Sequence, residues 1–233
     1  MIEIGFDLIS DLNLTPDDKF DWADKATSLY CVIPGNISSD TSTVLNTLNN
    51  LSNYYQGVFY IPGSLEYLNY NNIEKRTTEL LKHCSRIKNV ALLYHNVVII
   101  DGIAILGCNG WYGNTLPSEP TVQTQIDLAR YEDMIYLKAS VEKLQKHLDV
   151  KKVLMITNSV PNPKLFFGEC PAELTGLMPL TMSLVSDFHN KVSDWAFGTY
   201  DKFVDVKIDR LNFHNNACYK KNPYYAKIIK MSI

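Results

Sequence analysis

The chain has 233 residues, 46% of them hydrophobic and 20% charged, which suits one large α/β domain (residues 1–233) and is short for two. A formal net charge of −3 and a pI near 5.9 give no general basic footprint, which argues against nucleic acid as a partner. Nothing approaches the roughly 18 to 20 uninterrupted apolar residues of a membrane span, and Met1-Ile2-Glu3-Ile4 is expected to lead directly into a strand rather than a signal peptide.

Taken in order, residues 2–9 alternate partly and then run apolar, which predicts a buried strand. Asp17 to Ala26 is polar and amphipathic and predicts a short surface helix. Leu29 to Ile33 reads as a second buried strand, ending at Pro34-Gly35. Ser42 to Tyr55 has its apolar residues at helical spacing, and Gly57 to Ile61 is a third strand that again ends at Pro-Gly. This β-α-β-α-β rhythm implies parallel strands with helical crossovers.

Asn71 to Cys84 predicts another helix. Val90 to Leu93, Val97 to Ile100 and Ile103 to Leu106 predict three short strands, the last two joined by an Asp101-Gly102 hairpin turn. The longest helical pattern runs from Gln125 to Leu148, with Leu128, Tyr131, Ile135, Leu137, Val141, Leu144 and Leu148 at spacings near three and four. Val153 to Ile156 is a further buried strand. A proline-rich loop spans 161–171, a helix is expected over 180–192, and Trp195 to Gly198 closes a strand. Phe203 to Ile208 and Ala226 to Ile229 are strand-like.

Five cysteines are scattered without C-x-x-C spacing. Cys31 and Cys108 lie in apolar runs and read as buried thiols, which fits a reduced, intracellular setting. Lys outnumbers Arg 18 to 4, and Asn and Tyr are abundant. An AT-rich coding genome, such as that of many large bacteriophages, gives this bias.

Ligands of open α/β folds gather at the carboxyl ends of strands. Five polar segments stand there: Ser10-Asp11-Leu12-Asn13, Pro34-Gly35-Asn36-Ile37, Pro62-Gly63-Ser64-Leu65-Glu66, Thr157-Asn158-Ser159-Val160-Pro161 and Phe197-Gly198-Thr199-Tyr200-Asp201. Their order and surroundings resemble the five blocks of the calcineurin-like metallophosphoesterases: D-x-H, G-D, G-N-H followed by Glu or Asp, T-H-x-x-P, and G-H-x-H. The resemblance extends to Ile105 to Trp111, where relatives have an apolar strand and a Trp-containing loop, and to Asn222-Pro223. It implies an α/β fold in which a two-sheet β-sandwich is flanked by helices.

It also implies that the chemistry has been dismantled. Relatives hold two cations about 3.5 to 4 Å apart that clamp a phosphate. By the resemblance, Asp11 is kept. Asn13 stands for His, Asn36 for the bridging Asp, Ser64 for Asn, Leu65 for the catalytic His, Asn158 for His, Thr199 for His and Asp201 for His. A neutral amide at 36 is a poor bridge between cations, and Leu65 has no proton to give. The expectation is therefore no catalytic residue, no resident metal and no cofactor. Two readings of the replacements stand side by side. Small polar residues fill a vacated crevice and bond to one another, or their oxygens hold a single hard cation such as Ca²⁺ or Mg²⁺.

Other features are weaker. Gly35, Gly63 and Gly198 form no phosphate-loop motif and read as strand-end turns. Ser10, Ser64 and Ser159 lack a nucleophile elbow, and Cys170 lacks a base. Trp111 and Tyr112 read as an exposed partner surface or as a cover over the core. Tyr219, Tyr224 and Tyr225, among lysines, read as a docking surface or as an edge strand.

Two functions follow from the resemblance. One is a non-catalytic protein-binding or structural module, in a phage-type assembly, in host cytoplasm or virion, with another protein or a second copy as partner. The other is a residual metal-dependent phosphoesterase, or a single-cation binder, using Asp11 and Asp201.

Overall fold

The structure, a computed structural model, describes residues 3–111, 120–166, 191–218 and 224–233. Two sheets stack face to face. The first has the order β11-β1-β2-β3-β4, with β1 Glu3–Leu8, β2 Tyr30–Ile33, β3 Gly57–Tyr60, β4 Val90–Leu92 and β11 Lys227–Ser232. Strands β1 to β4 run parallel, and β11 closes one edge antiparallel to β1. The second has the order β5-β6-β7-β8-β10-β9, with β5 Val97–Ile100, β6 Ile103–Cys108, β7 Lys152–Thr157, β8 Val192–Phe197, β9 Val204–Ile208 and β10 Leu211–Asn215.

The layers follow from side-chain alternation. Phe6, Leu8, Val32, Phe59 and Ile61 of the first sheet meet Ile103, Ile105, Leu154, Ile156 and Ala196 of the second. The opposite face of the first sheet, Cys31, Ile33, Val58 and Tyr60, packs on two helices, α1 Thr41–Ser52 and α2 Ile73–Cys84. The opposite face of the second, Ala104, Leu106, Val153, Met155 and Trp195, packs on α3 Pro120–Lys146. The expected sandwich flanked by helices is thus the observed one.

Helix starts follow local chemistry. Asp40 caps α1 by accepting the Thr43 N–H at 2.7 Å, and Asn72 caps α2 by accepting the Lys75 N–H at 2.7 Å. The Asp101-Gly102 turn has both residues at positive φ, +44° and +81°, as a two-residue hairpin requires.

Two expectations are corrected. Asp17 to Ala26 forms no helix. Trp22 is fully buried, its N–H donates to Asn50 Oδ1 at 3.1 Å, and its indole N–H donates to the Tyr55 hydroxyl at 2.7 Å. These ties fix an irregular backbone in which Asp24 takes a positive φ of 59°. The second correction is β10, Leu211–Asn215, a strand that the sequence pattern did not predict beside the one expected over Phe203 to Ile208. Of the helix expected over 180–192, residues 180–190 lie outside the described residues, and Val192 opens β8. Cys31 and Cys108 are buried free thiols, as expected, and Cys170 lies outside the described residues.

Candidate functional site

Strands β1, β2, β3, β7 and β8 end at one rim, and each delivers one of the five polar segments there. The turns after them are tight. A Cβ on Gly35 would lie 2.6 Å from the Gly63 backbone, and one on Gly63 would lie 2.3 Å from Asn36 Oδ1, so both positions need glycine. Gly35 also has φ +86°. Asp11, Asn13, Asn36 and Thr199 all take left-handed φ between 48° and 59°. For a β-branched residue such as Thr199 that conformation is strained, and such strain concentrates at functional sites.

The side chains form one connected network. Asn36 Nδ2 donates to Asp11 Oδ1 at 2.8 Å and to Thr199 Oγ1 at 3.3 Å. Asn36 Oδ1 accepts from the Leu65 N–H at 3.0 Å and the Ser64 hydroxyl at 3.5 Å. Thr199 donates its N–H to Asp11 Oδ1 at 2.9 Å and its hydroxyl to Asn158 Oδ1 at 2.8 Å. Asn158 Oδ1 also accepts from the Ser64 N–H at 3.2 Å, and Asn158 Nδ2 donates to the Pro34 carbonyl at 2.8 Å. Asn36 and Asn158 are 7% and 2% exposed, so these amides meet each other's needs inside the protein.

Below the network, Glu66 is completely buried. Its carboxylate accepts from the N–H groups of Ile37 and Gly63 at 2.6 Å, Asn36 at 3.1 Å and Ser38 at 3.4 Å. Burial pushes its pKa up to about 7 against the pull of these donors. Arg76 donates to the Glu66 carbonyl at 3.0 Å and to Thr41 Oγ1 at 2.9 Å, with its guanidinium over the Tyr70 ring. This framework holds the backbone of residues 36–38 and 63–66 in place.

Asp11 is the one buried acid of the network. Burial raises its pKa to about 6, although the Asn36 amide and the Thr199 N–H pull it down. Its Oδ2 is buried without a hydrogen-bond partner of good geometry, and so is the neighbouring Ser10 hydroxyl, which lies close enough to lower the Asp11 pKa.

The donor set decides what the crevice fits. A cation needs converging lone pairs. Here two N–H donors, from Asn36 and Thr199, converge on Asp11 Oδ1, and the oxygens of Asn36 and Asn158 are turned to N–H and O–H donors. Asn36 Nδ2 points at the carboxylate with which a bridging Asp would share a cation. These residues do not fit a two-cation centre. Among the described residues no group of three or more His, Cys, Asp or Glu is placed to hold a metal ion.

The other candidate residues fall differently. Asn13 joins through its backbone, donating its N–H to the Asn36 carbonyl at 2.9 Å. Asp201 is exposed and is related to Asp11 by charge repulsion rather than by a hydrogen bond. Trp111 is only 6% exposed and meets Tyr67 edge-on at 4.7 Å, so it covers the core instead of offering a partner surface. Tyr224 packs on Phe20, and Tyr225 is half exposed beside β11. Tyr112 and Tyr219 lie outside the described residues.

Sequence reasoning missed a second cluster. His214 on β10 lies between Asp194 and Asp205, 3.0 Å from each, and Lys227 of the other sheet pairs with Asp205. The alternation of Leu211-Asn212-Phe213-His214-Asn215 is the signal that could have found the strand, but it does not name the partners of His214.

No family model matches the chain. It is 25% identical over 119 residues to an uncharacterized protein of Acanthamoeba polyphaga mimivirus, a match covering 44% of this chain and 42% of that protein. The match therefore spans less than half of that relative's length. Among solved structures, the chain is similar to the phosphopantetheinyl hydrolase PptH from Mycobacterium tuberculosis, with TM-score 0.64, 14% identity, and 91% and 88% of the two chains covered. It is similar to a 5′-nucleotidase-type protein from Staphylococcus aureus, with TM-score 0.55, 11% identity, and 92% of this chain and 48% of that one covered. It is also similar to GAP50, the anchor in the inner membrane complex of Plasmodium, with TM-score 0.59, 12% identity, and 91% and 71% covered. At such identities the likeness concerns the fold, which is of the metallophosphoesterase type.

Proposed function

We propose that this chain is a non-catalytic protein of metallophosphoesterase fold that acts as a protein-binding or structural module. The observation that carries the reading is the Asn36 amide, which donates to Asp11 and accepts from Leu65 at the position where the resemblance implies a bridging carboxylate. A crevice in which the Asn36, Asn158, Thr199 and Ser64 side chains are paired with one another needs no cation to satisfy them and has no acid or base aimed at a substrate. Leu65, half-buried at the rim, supplies only its backbone N–H.

The fold neighbours include two with hydrolase or nucleotidase names and one named an anchor, so fold alone chooses neither role. The composition suggests a phage-type setting, and the partial likeness is to a protein of another virus, Acanthamoeba polyphaga mimivirus. Among the described residues no helix is long and apolar enough to cross a membrane.

The test is hydrolysis of bis-p-nitrophenyl phosphate by purified protein with added Mn²⁺, alongside elemental analysis. The proposal expects no turnover above buffer and no stoichiometric metal. Turnover that disappears in Asp11→Asn sinks it.

A second reading has one observation in its favour. Asp11 Oδ2 is buried with no hydrogen bond of good geometry beyond the nearby Ser10 hydroxyl, and a single hard cation would give it a partner. Calorimetric titration with Ca²⁺ and Mg²⁺ separates this reading from the first, which expects no heat of binding.

A further inference from the structure

Helix α3 carries two apolar stripes, and the fold uses one. Leu137, Val141 and Leu144 are buried against the second sheet. Leu128, Tyr131 and Ile135 recur at i, i+3 and i+7 and are 58%, 57% and 49% exposed. Single exposed apolar residues are ordinary; three in register form a ridge that marks a contact surface.

The ridge starts at the mouth of a cavity of about 320 Å³ between the start of α2 and α3. Ile73, Tyr94, Leu128 and Ala129 give it apolar walls, and the exposed Glu74 and Glu132 give it an acidic rim. No Lys or Arg is among its described lining residues. Burial, and then the charges of Asp133, Glu132 and Glu74, raise the pKa of the Tyr94 hydroxyl, so the negative field reaches the cavity wall. Glu74 sits in the first turn of α2 and offsets the helix's partial positive charge, and Asn72 already accepts the Lys75 N–H. Gln125 accepts the Ile73 N–H at 3.0 Å and donates to the Asn71 carbonyl at 3.1 Å, so the two helices are held at a fixed spacing.

We infer that this groove docks a segment of a partner protein, with a Lys or Arg side chain between Glu74 and Glu132 and an adjacent aliphatic side chain on the Leu128–Tyr131–Ile135 ridge. Charge complementarity selects the cation, and a ridge running on past the cavity selects a polypeptide over a free amine. The inference rests on the protein-binding reading above and names the chemistry of the partner.

The experiment uses two fluorescein-labelled synthetic peptides of equal length, one with Leu and Lys at helical spacing and one with every Lys replaced by Glu. Anisotropy is read in EDTA at low and raised salt. The Lys peptide is expected to bind and to weaken with salt, and the Glu peptide is expected not to bind. Glu74→Gln with Glu132→Gln is expected to weaken the Lys peptide about tenfold, and Leu128→Ser is expected to weaken it without changing the salt dependence. All three positions are exposed, so folding is checked by an unchanged thermal midpoint. Equal binding of the two peptides overturns the inference, as does a double variant that binds like the parent. It is equally overturned if sedimentation shows a parent dimer that Leu128→Lys dissociates, because a second copy then holds the ridge. Peptide binding in EDTA is blind to the crevice, and Mn²⁺-dependent turnover is blind to the groove, so either reading can fail while the other's test still stands.

Discussion

Asn36 turns its amide N–H toward Asp11 at 2.8 Å and its amide oxygen toward the Leu65 N–H at 3.0 Å. The Leu65 N–H can only donate and the Asp11 carboxylate can only accept, so the amide has one satisfactory orientation. A carboxylate at position 36 would meet Leu65 equally well and Asp11 badly. The crevice is thus matched to an amide.

Asn36→Asp is therefore expected to destabilise the protein by about 2 to 4 kcal/mol near neutral pH, through a lost charge-assisted hydrogen bond and a buried carboxylate pair. Two facing acids share one proton, so the penalty is smaller in acid and grows as pH rises. Added Ca²⁺ or Mn²⁺ should recover part of the loss. Urea unfolding in EDTA at about pH 5 and about pH 8 measures this. A variant as stable as the parent at both pH values would mean that the two side chains do not face each other.

Asp11 makes a second expectation about pH. Its folded pKa is raised from 3.8 to about 6. The stability it contributes is therefore fully present below the unfolded pKa and is lost as pH rises through about 6, a change on the order of 3 kcal/mol. Asp11→Asn removes that dependence, and its amide oxygen can still accept from Asn36 and Thr199. Relative to the parent, the variant should gain stability between about pH 4 and pH 7. A difference that stays flat across that window contradicts a buried, desolvated Asp11.

Much of this was legible in the chain. Pro34-Gly35 and Pro62-Gly63 punctuate apolar runs, so the strand ends were placed, and the order of polar residues after them gave the rim. The network itself was not legible. Asn13 and Asp201 have the same kinds of side chain as Asn36 and Asp11, yet one joins through its backbone and the other faces solvent; local conformation does not separate them, since Asn13 and Asn36 share a left-handed φ, and the difference lies in which neighbours each meets across the rim. Tertiary ties overrode local pattern at Trp22, where Tyr55 and Asn50 fix a loop in place of a helix. On α3, periodicity could not tell the stripe facing the sheet from the stripe facing solvent, because both are apolar.

Glu66 is expected to matter for stability as much as Asn36 does. Glu66→Gln turns an amide NH₂ toward backbone N–H donors that need acceptors, at a cost of about 2 to 4 kcal/mol. Because residues 36–38 hang on that side chain, hydrogen exchange at Asn36, Ile37 and Ser38 should rise in the variant while α1 stays protected. Unchanged exchange at these three amides would show that other contacts hold the loop.

His214→Ala is expected to cost about 3 kcal/mol near neutral pH, since Asp194 is 3% exposed and keeps its charge without its main donor. Burial raises the Asp194 pKa, but the His214 ring, the Ser193 hydroxyl and the Asn212 amide together bring it below the usual value, and Asp205 is lowered as well. Stability from these lowered acids is present above the ordinary carboxylate range and lost as pH falls through their folded values. The deficit of the variant should therefore shrink in acid, opposite in sign to the Asp11 effect. Urea unfolding at neutral and acid pH checks this, and a deficit that does not vary with pH speaks against the carboxylate pairing.

The most direct measurement of the central claim is the thermal midpoint of the parent protein in EDTA and in millimolar Mn²⁺. A two-cation centre couples folding to cation binding and makes the midpoint depend on the metal. A crevice closed by its own amides does not. The account expects the two midpoints to coincide. A midpoint several degrees higher in Mn²⁺, with the difference abolished by Asp11→Asn, would contradict it.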